Sequence, residues 1–275
     1  MKTFTKITLA VSGILFCIGA VCILIAGSMG LTSNSFRQMV YDGKFSFHFG
    51  DDLHSDLEGS ETSNTETIEI TEEFKNLEIE FGAGTLEILY DDVEHIQIEQ
   101  KQVKKFKAYV EDNTLHFEGN IDIVGINDTS NASLTITLPR NMSFQPADLE
   151  LGASEAVVAG LTATAMDIEV GAGQVTISAL ATDSLQIEIG AGQVTISELD
   201  AKTLDAEVGV GKLNAALIGK ETDYGYSLDC GIGSVKIGSN SYNGLGTSQS
   251  VNPPKADRFM DVECGIGEVN ITFME

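Results

Sequence analysis

The sequence has no tryptophan, four prolines, four cysteines and few basic side chains among its 275 residues. Four cysteines are too few for a disulfide scaffold at this length, and their spacings match no zinc-binding pattern. The chain carries 16 lysines and arginines against 41 aspartates and glutamates, which gives a net charge of -25. Nucleic acids and anionic lipid surfaces are bound through basic patches, so this balance argues against both as partners of a folded domain.

Residue patterns that carry catalysis or hold cofactors are also missing. The sequence contains neither a Gly-x-Ser-x-Gly nucleophile motif nor a phosphate-binding loop. Its Gly-x-Gly segments lack the third glycine and the following helix of a dinucleotide site. The histidines do not have metal-ligand spacing, and they are His48, His54, His95 and His116. We therefore expect no enzyme activity and no cofactor.

The N-terminal segment is long and apolar. From Ile7 to Ala26 it runs without a charge, a length sufficient to cross a bilayer as a helix. Lys2 and Lys6 precede it and an acidic chain follows, which predicts a single-pass cell-membrane protein with a cytoplasmic N-terminus and an extracellular C-terminal domain. A cleaved signal peptide is the alternative, because Ala26-Gly27-Ser28 resembles a small-residue cleavage site.

Composition divides the chain into four predicted segments. Residues 1–6 are predicted to be cytoplasmic and 7–27 to be the membrane anchor. Residues 28–67 are acidic and rich in serine and threonine, which predicts an extracellular stalk. Alternation of apolar and polar residues begins at Ile68, so 68–275 is the predicted folded domain, with an irregular part (68–148) and a regular part (149–275).

One short phrase is repeated along the folded domain. Residues 166–178 read MDIEVGAGQVTIS and 185–197 read LQIEIGAGQVTIS. The first glycines of the central copies fall at 152, 171, 190 and 209, and such a constant step is typical of stacked repeats. We call each Gly-x-Gly a corner and expect glycine where the chain turns too tightly for a Cβ atom. The predicted corner glycines are Gly82, Gly84, Gly171, Gly173, Gly190, Gly192, Gly209, Gly211, Gly231, Gly233, Gly265 and Gly267.

The alternation on both sides of each corner predicts the fold. It is the period of a strand, so each repeat supplies two short strands whose apolar side chains stack on those of the next repeat. The predicted fold class is all-β: a single-stranded parallel β-solenoid of about 19-residue coils, preceded by one transmembrane helix. The alternative is an antiparallel meander in which Gly-Ala-Gly forms hairpin loops.

The same register aligns carboxylates on the other side of the strands. Each lies two residues before the first glycine of its corner, and together they form an acidic ladder that could hold calcium weakly. Its predicted members are Glu169, Glu188, Glu207, Asp229 and Glu263. Cys230 and Cys264 replace the inward valine beside the ladder, which predicts buried, unreactive thiols.

The step from the corner at Gly231 to the corner at Gly265 is much longer than the others. The excess predicts a loop extruded over 239–258. Long loops in compact domains are often functional, and this one is the candidate contact surface. Its candidate contact residues are Tyr242, Lys255 and Arg258.

These motifs resemble the bacterial putative-adhesin family. The resemblance covers roughly Ile68 to Phe273 and rests on the corner phrase, the Leu138-Pro139 boundary and the closing VECGIGEVNI (262–271). It implies a parallel β-solenoid of unknown function, often behind a membrane anchor, and it supplies no catalytic residues. Gly152 departs from the pattern because Ser154 replaces the second glycine.

Three functions remain open at this point. The first is a non-catalytic, membrane-anchored binding or adhesion module whose partner is an envelope protein or a glycan. The second is a regulatory component that senses envelope stress through protein contacts. The third and most remote is a polysaccharide-active β-helix enzyme. Lys212 and Lys236 stand singly after their corners, so a paired base beside the acids is missing.

Overall fold

The computed structural model describes residues 66–70, 72–103, 105–119 and 132–274. These residues form fourteen strands and one short 3-10 helix, Glu221–Asp223. The strands are β1 (Glu66–Ile70), β2 (Asn76–Asp91), β3 (Ile96–Lys101), β4 (Lys107–Glu111), β5 (Thr114–Gly119), β6 (Ser133–Pro139), β7 (Phe144–Val158), β8 (Leu161–Val170), β9 (Gln174–Ile177), β10 (Leu180–Ile189), β11 (Gln193–Ile218), β12 (Tyr224–Ile237), β13 (Asn240–Val251) and β14 (Arg258–Met274).

Alternation along each strand sorts side chains between core and surface. In β8, Ile168 and Val170 are fully buried while Glu169 between them is exposed. Branched apolar side chains fit the pleated, half-buried surface of a strand, which is why these segments do not form helices. Burying one such side chain stabilises the fold by about 1.5–3 kcal/mol.

The register expected from the repeat is present in the strand pairing. Ile187 of β10 lies opposite Ile168 of β8 and Ala206 of β11, all in parallel pairs. Beyond the corner, Val194 lies opposite Val175. Equivalent residues of successive repeats therefore stack in the core. The antiparallel meander is not the arrangement of these repeats.

The predicted β-solenoid is nevertheless wrong, although the described chain is all-β as expected. The parallel pairs close on themselves: β7 pairs with β8, β8 with β10, β10 with β11, β11 with β9, and β9 with β7. The reason is that two strands run unbroken past a turn. β7 continues through its corner and pairs with β8 before it and with β9 after it. β11 continues through residues 197–198 and pairs with β9 before them (193–196) and with β10 after them (199–208). The result is a closed five-strand parallel barrel with extra strands.

The extra strands extend the sheet on both sides of this ring. β2 joins β7, and β5 and β6 join β2. At the C-terminal side β14 joins β11, β12 joins β14, and β13 pairs with β12 in antiparallel fashion. The last repeat therefore lies between the two that precede it in sequence, an order that the corner spacing did not predict.

Close stacking explains the glycine at two central corners. A Cβ atom built on Gly190 would lie 2.7 Å from the carbonyl oxygen of Gly171, and one built on Gly209 would lie 2.8 Å from that of Gly190. Both distances are too short for a carbon beside a backbone oxygen. At these corners the backbones of neighbouring repeats approach closely enough to require glycine.

No helix within the described ranges is long and apolar enough to span a bilayer. The prediction of a transmembrane helix, and with it the localisation as a single-pass cell-membrane protein with a cytoplasmic N-terminus, is corrected on this finding. The segment 7–27 itself lies outside the described residues, as do the predicted cytoplasmic N-terminus and the stalk up to residue 65.

Candidate binding face

Carboxylates form a continuous row across the strand halves that precede the corners. In-register pairing places them opposite one another on adjacent strands, so neighbours lie about 4.8 Å apart in the pairing direction. We call this surface the acidic face. In spatial order its first row is Glu118, Glu80, Glu150, Glu169, Glu188, Glu207, Glu263 and Asp229.

This row contains the five ladder residues expected from the sequence, in a changed order and with three additions. Glu263 lies between Glu207 and Asp229 because β14 lies between β11 and β12. Glu80 and Glu150 were missed, although each precedes its first glycine by two positions as Glu169 does. The signal was therefore in the sequence.

A second acidic row runs parallel to the first, two positions earlier in each strand. It contains five carboxylates and is interrupted by Gln186, whose Nε2 donates a hydrogen bond to Glu188 Oε1 (3.1 Å). In spatial order the row is His116, Glu78, Asp148, Asp167, Gln186, Asp205, Asp261 and Ser227.

Partial burial and repulsion between neighbouring carboxylates raise the pKa values of several of these groups. Partial burial, followed by the charges of Glu188 and Glu263, raises the pKa of Glu207 to about 7. Partial burial and the neighbouring Glu150 raise the pKa of Glu169 as well. The pKa of Asp205 is raised by partial burial and by Asp261. These three carboxylates are therefore harder to ionise, because they are partly buried and because their neighbours in the rows are acids.

The β5 end of the acidic face is partly neutralised. Lys107 Nζ lies 3.2 Å from Glu118 Oε2, and the Tyr109 hydroxyl donates a hydrogen bond to Glu118 Oε1 (2.6 Å). The Tyr109 hydrogen bond, with help from Lys107, lowers the pKa of Glu118. His116 Nδ1 lies 3.2 Å from Glu78 Oε2. The net negative surface is consequently centred on β7, β8, β10, β11 and β14.

The geometry of the rows does not favour a point site for calcium. Within the part of the chain that the structure describes, no group of three or more histidine, cysteine or acidic side chains converges as metal ligands would. Calcium takes six to eight oxygen ligands around one centre. Carboxylates in parallel rows instead spread their oxygens along the surface of the sheet, so weak calcium binding to the ladder stays a prediction.

The segment predicted as a contact loop is mostly a strand. Tyr242 lies in β13, and its hydroxyl is 2.7 Å from that of Tyr226. Arg258 begins β14 and donates from Nη1 to Asp200 Oδ1 (2.7 Å) and to the Tyr224 hydroxyl (3.0 Å). These two side chains make structural contacts within the fold. Lys255, in the return from β13 to β14, is exposed.

The two described cysteines are buried free thiols. Cys230 of β12 lies directly opposite Cys264 of β14, and both point into the core. Burial, followed by the neighbouring Cys230, raises the pKa of the Cys264 thiol to about 12. A thiol with so high a pKa is mostly protonated at neutral pH and reacts slowly.

An open groove of about 490 Å³ lies at the opposite turns of the repeats, lined by Tyr90, Arg140, Glu198 and Asp200 among others. Two of its charged groups are engaged in ion pairs. Arg140 Nε lies 2.6 Å from Asp92 Oδ1, and Asp200 is held by Arg258. General acid-base catalysis needs groups positioned to exchange protons with a substrate. Arg140 and Asp200 are instead engaged by neighbouring side chains of the fold.

Comparisons with known proteins give weak likenesses. No family model and no curated protein matches the chain. Similar solved structures include a putative cell adhesion protein from Clostridium sporogenes (15% identity, 78% of this chain and 100% of that chain, TM-score 0.34). Others are a putative adhesin from Bacteroides fragilis (15%, 78% and 100%, 0.36) and a putative lipid binding protein from Parabacteroides distasonis (11%, 76% and 96%, 0.37).

Two of these three neighbours are named a putative cell adhesion protein and a putative adhesin, in partial agreement with the resemblance drawn from the sequence motifs. Their TM-scores and identities are too low to establish a family or a function for this chain. Its function has to be argued from its own surface.

Proposed function

We propose that this chain is a non-catalytic binding module of the adhesion type, which holds a cationic partner surface against its acidic face. The observation that carries the proposal is the row of eight carboxyl groups on adjacent strands. A regular, extended array of like charges suits an extended polycation better than a small ligand. Each additional contact adds attraction and speeds the encounter.

The titration of the face supports this proposal. Neighbouring acids and partial burial raise the pKa of Glu207 to about 7, so its carboxyl group is about half protonated near neutral pH. A bound cation would favour the ionised form, and the carboxyl groups would release protons on binding. By linkage, affinity for a polycation should rise as the pH increases from about 5 to 8.

The test is binding of the purified chain to immobilised poly-L-lysine, measured by biolayer interferometry at two salt concentrations. Immobilised poly-L-glutamate, which has the same charge sign as the acidic face, serves as the negative control. We expect saturable binding to poly-L-lysine that weakens with salt, because screening shortens the range of the attraction. A triple variant with Glu169, Glu188 and Glu207 changed to glutamine should bind at least tenfold more weakly.

The effect of the total net charge on binding must be distinguished from the effect of the acidic face. A control variant removes the same number of charges from exposed acids elsewhere, namely Glu72→Gln, Glu94→Gln and Glu155→Gln. It should bind poly-L-lysine within about twofold of the parent chain. Equal weakening in both triple variants would mean that binding follows total charge, and the proposed face would be rejected.

A further inference from the structure

Strand β13 forms an unprotected edge of the sheet. Among the described strands it pairs with β12 alone, over eleven aligned positions from Asn240 to Val251. Its sequence, NSYNGLGTSQSV, contains neither a charge nor a proline. Edge strands usually carry such residues because an open row of N–H and C=O groups attracts further strands. At the other end of the sheet, the short strand β1 (ETIEI) has two glutamates.

An exposed apolar ridge leads to this edge. It follows the middle residue of successive corners, where the earlier repeats have alanine at positions 153, 172 and 191. Towards β13 the residues become larger and more exposed: Ile266 is 47% exposed, Ile232 is 54% and Leu245 is 80%. These three side chains lie on adjacent strands in register. Large apolar side chains that become more exposed towards an open edge indicate a surface that is covered on binding.

The acidic face ends one strand before the same edge. Its first row runs through Glu263 and Asp229 and then meets Ser248 of β13. A strand added beyond β13 would lie about 10 Å from Asp229, two strand spacings away. A lysine or arginine side chain at that position could reach the end of the acidic row, whereas an acid there would be repelled.

A second copy of this chain does not fit the whole edge. Before the corner of β12, the core-side residues of β13 are odd-numbered, since 247 faces Cys230 and 249 faces Leu228. After the corner they are even-numbered, since 242 faces Val235 and 240 faces Ile237. Two strands related by a two-fold axis pair residues whose numbers have an even sum, so odd residues oppose odd ones. If two copies paired along the whole of β13, the core-side residues before the corner in one copy would lie opposite outward-facing residues after the corner in the other copy. The apolar sides of the two strands would then not match.

We propose that β13 is the docking edge for an extended segment of a different polypeptide, which adds a strand to the sheet. The segment carries an apolar or small residue beside Leu245 and a basic residue beside Ser248. Backbone hydrogen bonds supply affinity, and the alternate side chains supply specificity, as in other cases of strand addition. This inference deepens the proposed function and rests on it in one respect, the basic character of the partner.

The chain's own repeat provides a probe with the required pattern. A synthetic peptide of residues 185–196 with lysine in place of Glu188 (LQIKIGAGQVTI) can lie antiparallel to β13. In that register the lysine lies beside Ser248, Ala191 of the peptide beside Leu245, and the peptide's Val194 on the core side beside Tyr242. The unmodified peptide, with glutamate at the same position, is the matched control.

Binding is measured by fluorescence anisotropy of each labelled peptide in a titration with the purified chain at low salt. We expect the lysine peptide to bind saturably and at least tenfold more tightly than the glutamate peptide. Leu245→Ser should weaken binding of the lysine peptide at least fivefold. Because Leu245 is 80% exposed, this variant should stay folded, which circular dichroism verifies.

A charge exchange tests the register. In Ser248→Lys the preference should reverse, so that the glutamate peptide binds more tightly than the lysine peptide. If neither peptide binds, or if both variants bind the lysine peptide as the parent chain does, the β13 edge is not the docking site. Poly-L-lysine binding to the acidic face would persist in that case, so the two proposals fail separately. A dimer that sediments as such and is lost in Leu245→Ser would assign the edge to a second copy and overturn the inference.

Discussion

Replacing Glu207 by glutamine should stabilise the protein at alkaline pH. The folded state raises the pKa of this carboxyl from 4.5 to about 7, through partial burial and then the charges of Glu188 and Glu263. A group whose pKa is raised by folding stabilises the folded state at low pH, and this contribution is lost as the pH rises through the folded-state pKa. The parent chain should therefore lose stability between about pH 4.5 and 7.

The magnitude follows from the same shift. One pKa unit corresponds to about 1.36 kcal/mol, which would give about 3 kcal/mol for a fully buried group. Glu207 is only partly buried, so solvent screening reduces the effect to about 1 kcal/mol. Glutamine keeps the shape of the side chain and removes the charge, so Glu207→Gln should gain about this amount at pH 8 and nothing at pH 4.5.

Urea unfolding of the parent chain and of Glu207→Gln, at pH values from 4.5 to 8, measures both quantities. Glu72→Gln, a change at an exposed acid outside the acidic rows, is the matched control and should stay within about 0.5 kcal/mol of the parent throughout. The reasoning would be refuted if Glu207→Gln were less stable than the parent at pH 8, or if its unfolding free energy showed the same dependence on pH.

Two further predictions concern the core and the corners. Gly190→Ala should lower the unfolding free energy by about 1–3 kcal/mol, because its Cβ atom would lie 2.7 Å from the Gly171 carbonyl oxygen. Gly160→Ala, whose nearest neighbour would be at 3.4 Å, should lower it less; equal losses in urea titrations would contradict the stacking. Cys230 and Cys264 should resist iodoacetamide in the folded chain at pH 8 and react after unfolding, since both are buried. Peptide mapping by mass spectrometry reports these two sites separately from Cys17 and Cys22. Rapid labelling of Cys230 or Cys264 in the folded chain would disprove their burial.

The local structure of this protein was largely predictable from its sequence. Alternation about each corner placed Ile168 and Ile187 in the core and Glu169 and Glu188 on the surface, because side chains of a strand alternate between its two faces. The constant step between the first glycines of successive corners predicted the parallel register between these repeats. Both inferences could be made from the repeated residues alone, since segments with the same sequence stack most simply on one another in register.

The order and closure of the strands were not predictable in the same way. The long step between Gly231 and Gly265 was interpreted as a loop, whereas the excess residues form β13 on the outside of β12. β14 then pairs with β11, which separates Asp229 from Glu207. Spacing along the chain records the length of a connection and not its path, so either arrangement would give the same spacing.

Closure through β9 was missed for a related reason. The prediction treated every repeat as two short strands, but β7 is continuous through its corner. β11 is likewise continuous through residues 197–198, between the part that pairs with β9 and the part that pairs with β10. Ser154 in place of a glycine was noted as a departure from the pattern, and it lies within the continuous strand β7. Whether a corner interrupts a strand depends on the pairing on both sides, which a single phrase does not specify.

The central claim is that carboxylates from successive strands lie side by side and form one charged face. The most direct measurement is a carbon-detected NMR titration of the Glu207 carboxyl in the parent chain and in Glu188→Gln. We predict that it titrates near pH 7 in the parent chain and at a lower pH when the neighbouring charge of Glu188 is removed. A Glu207 carboxyl that titrates near 4.5 in both proteins would contradict the row, and with it the acidic face.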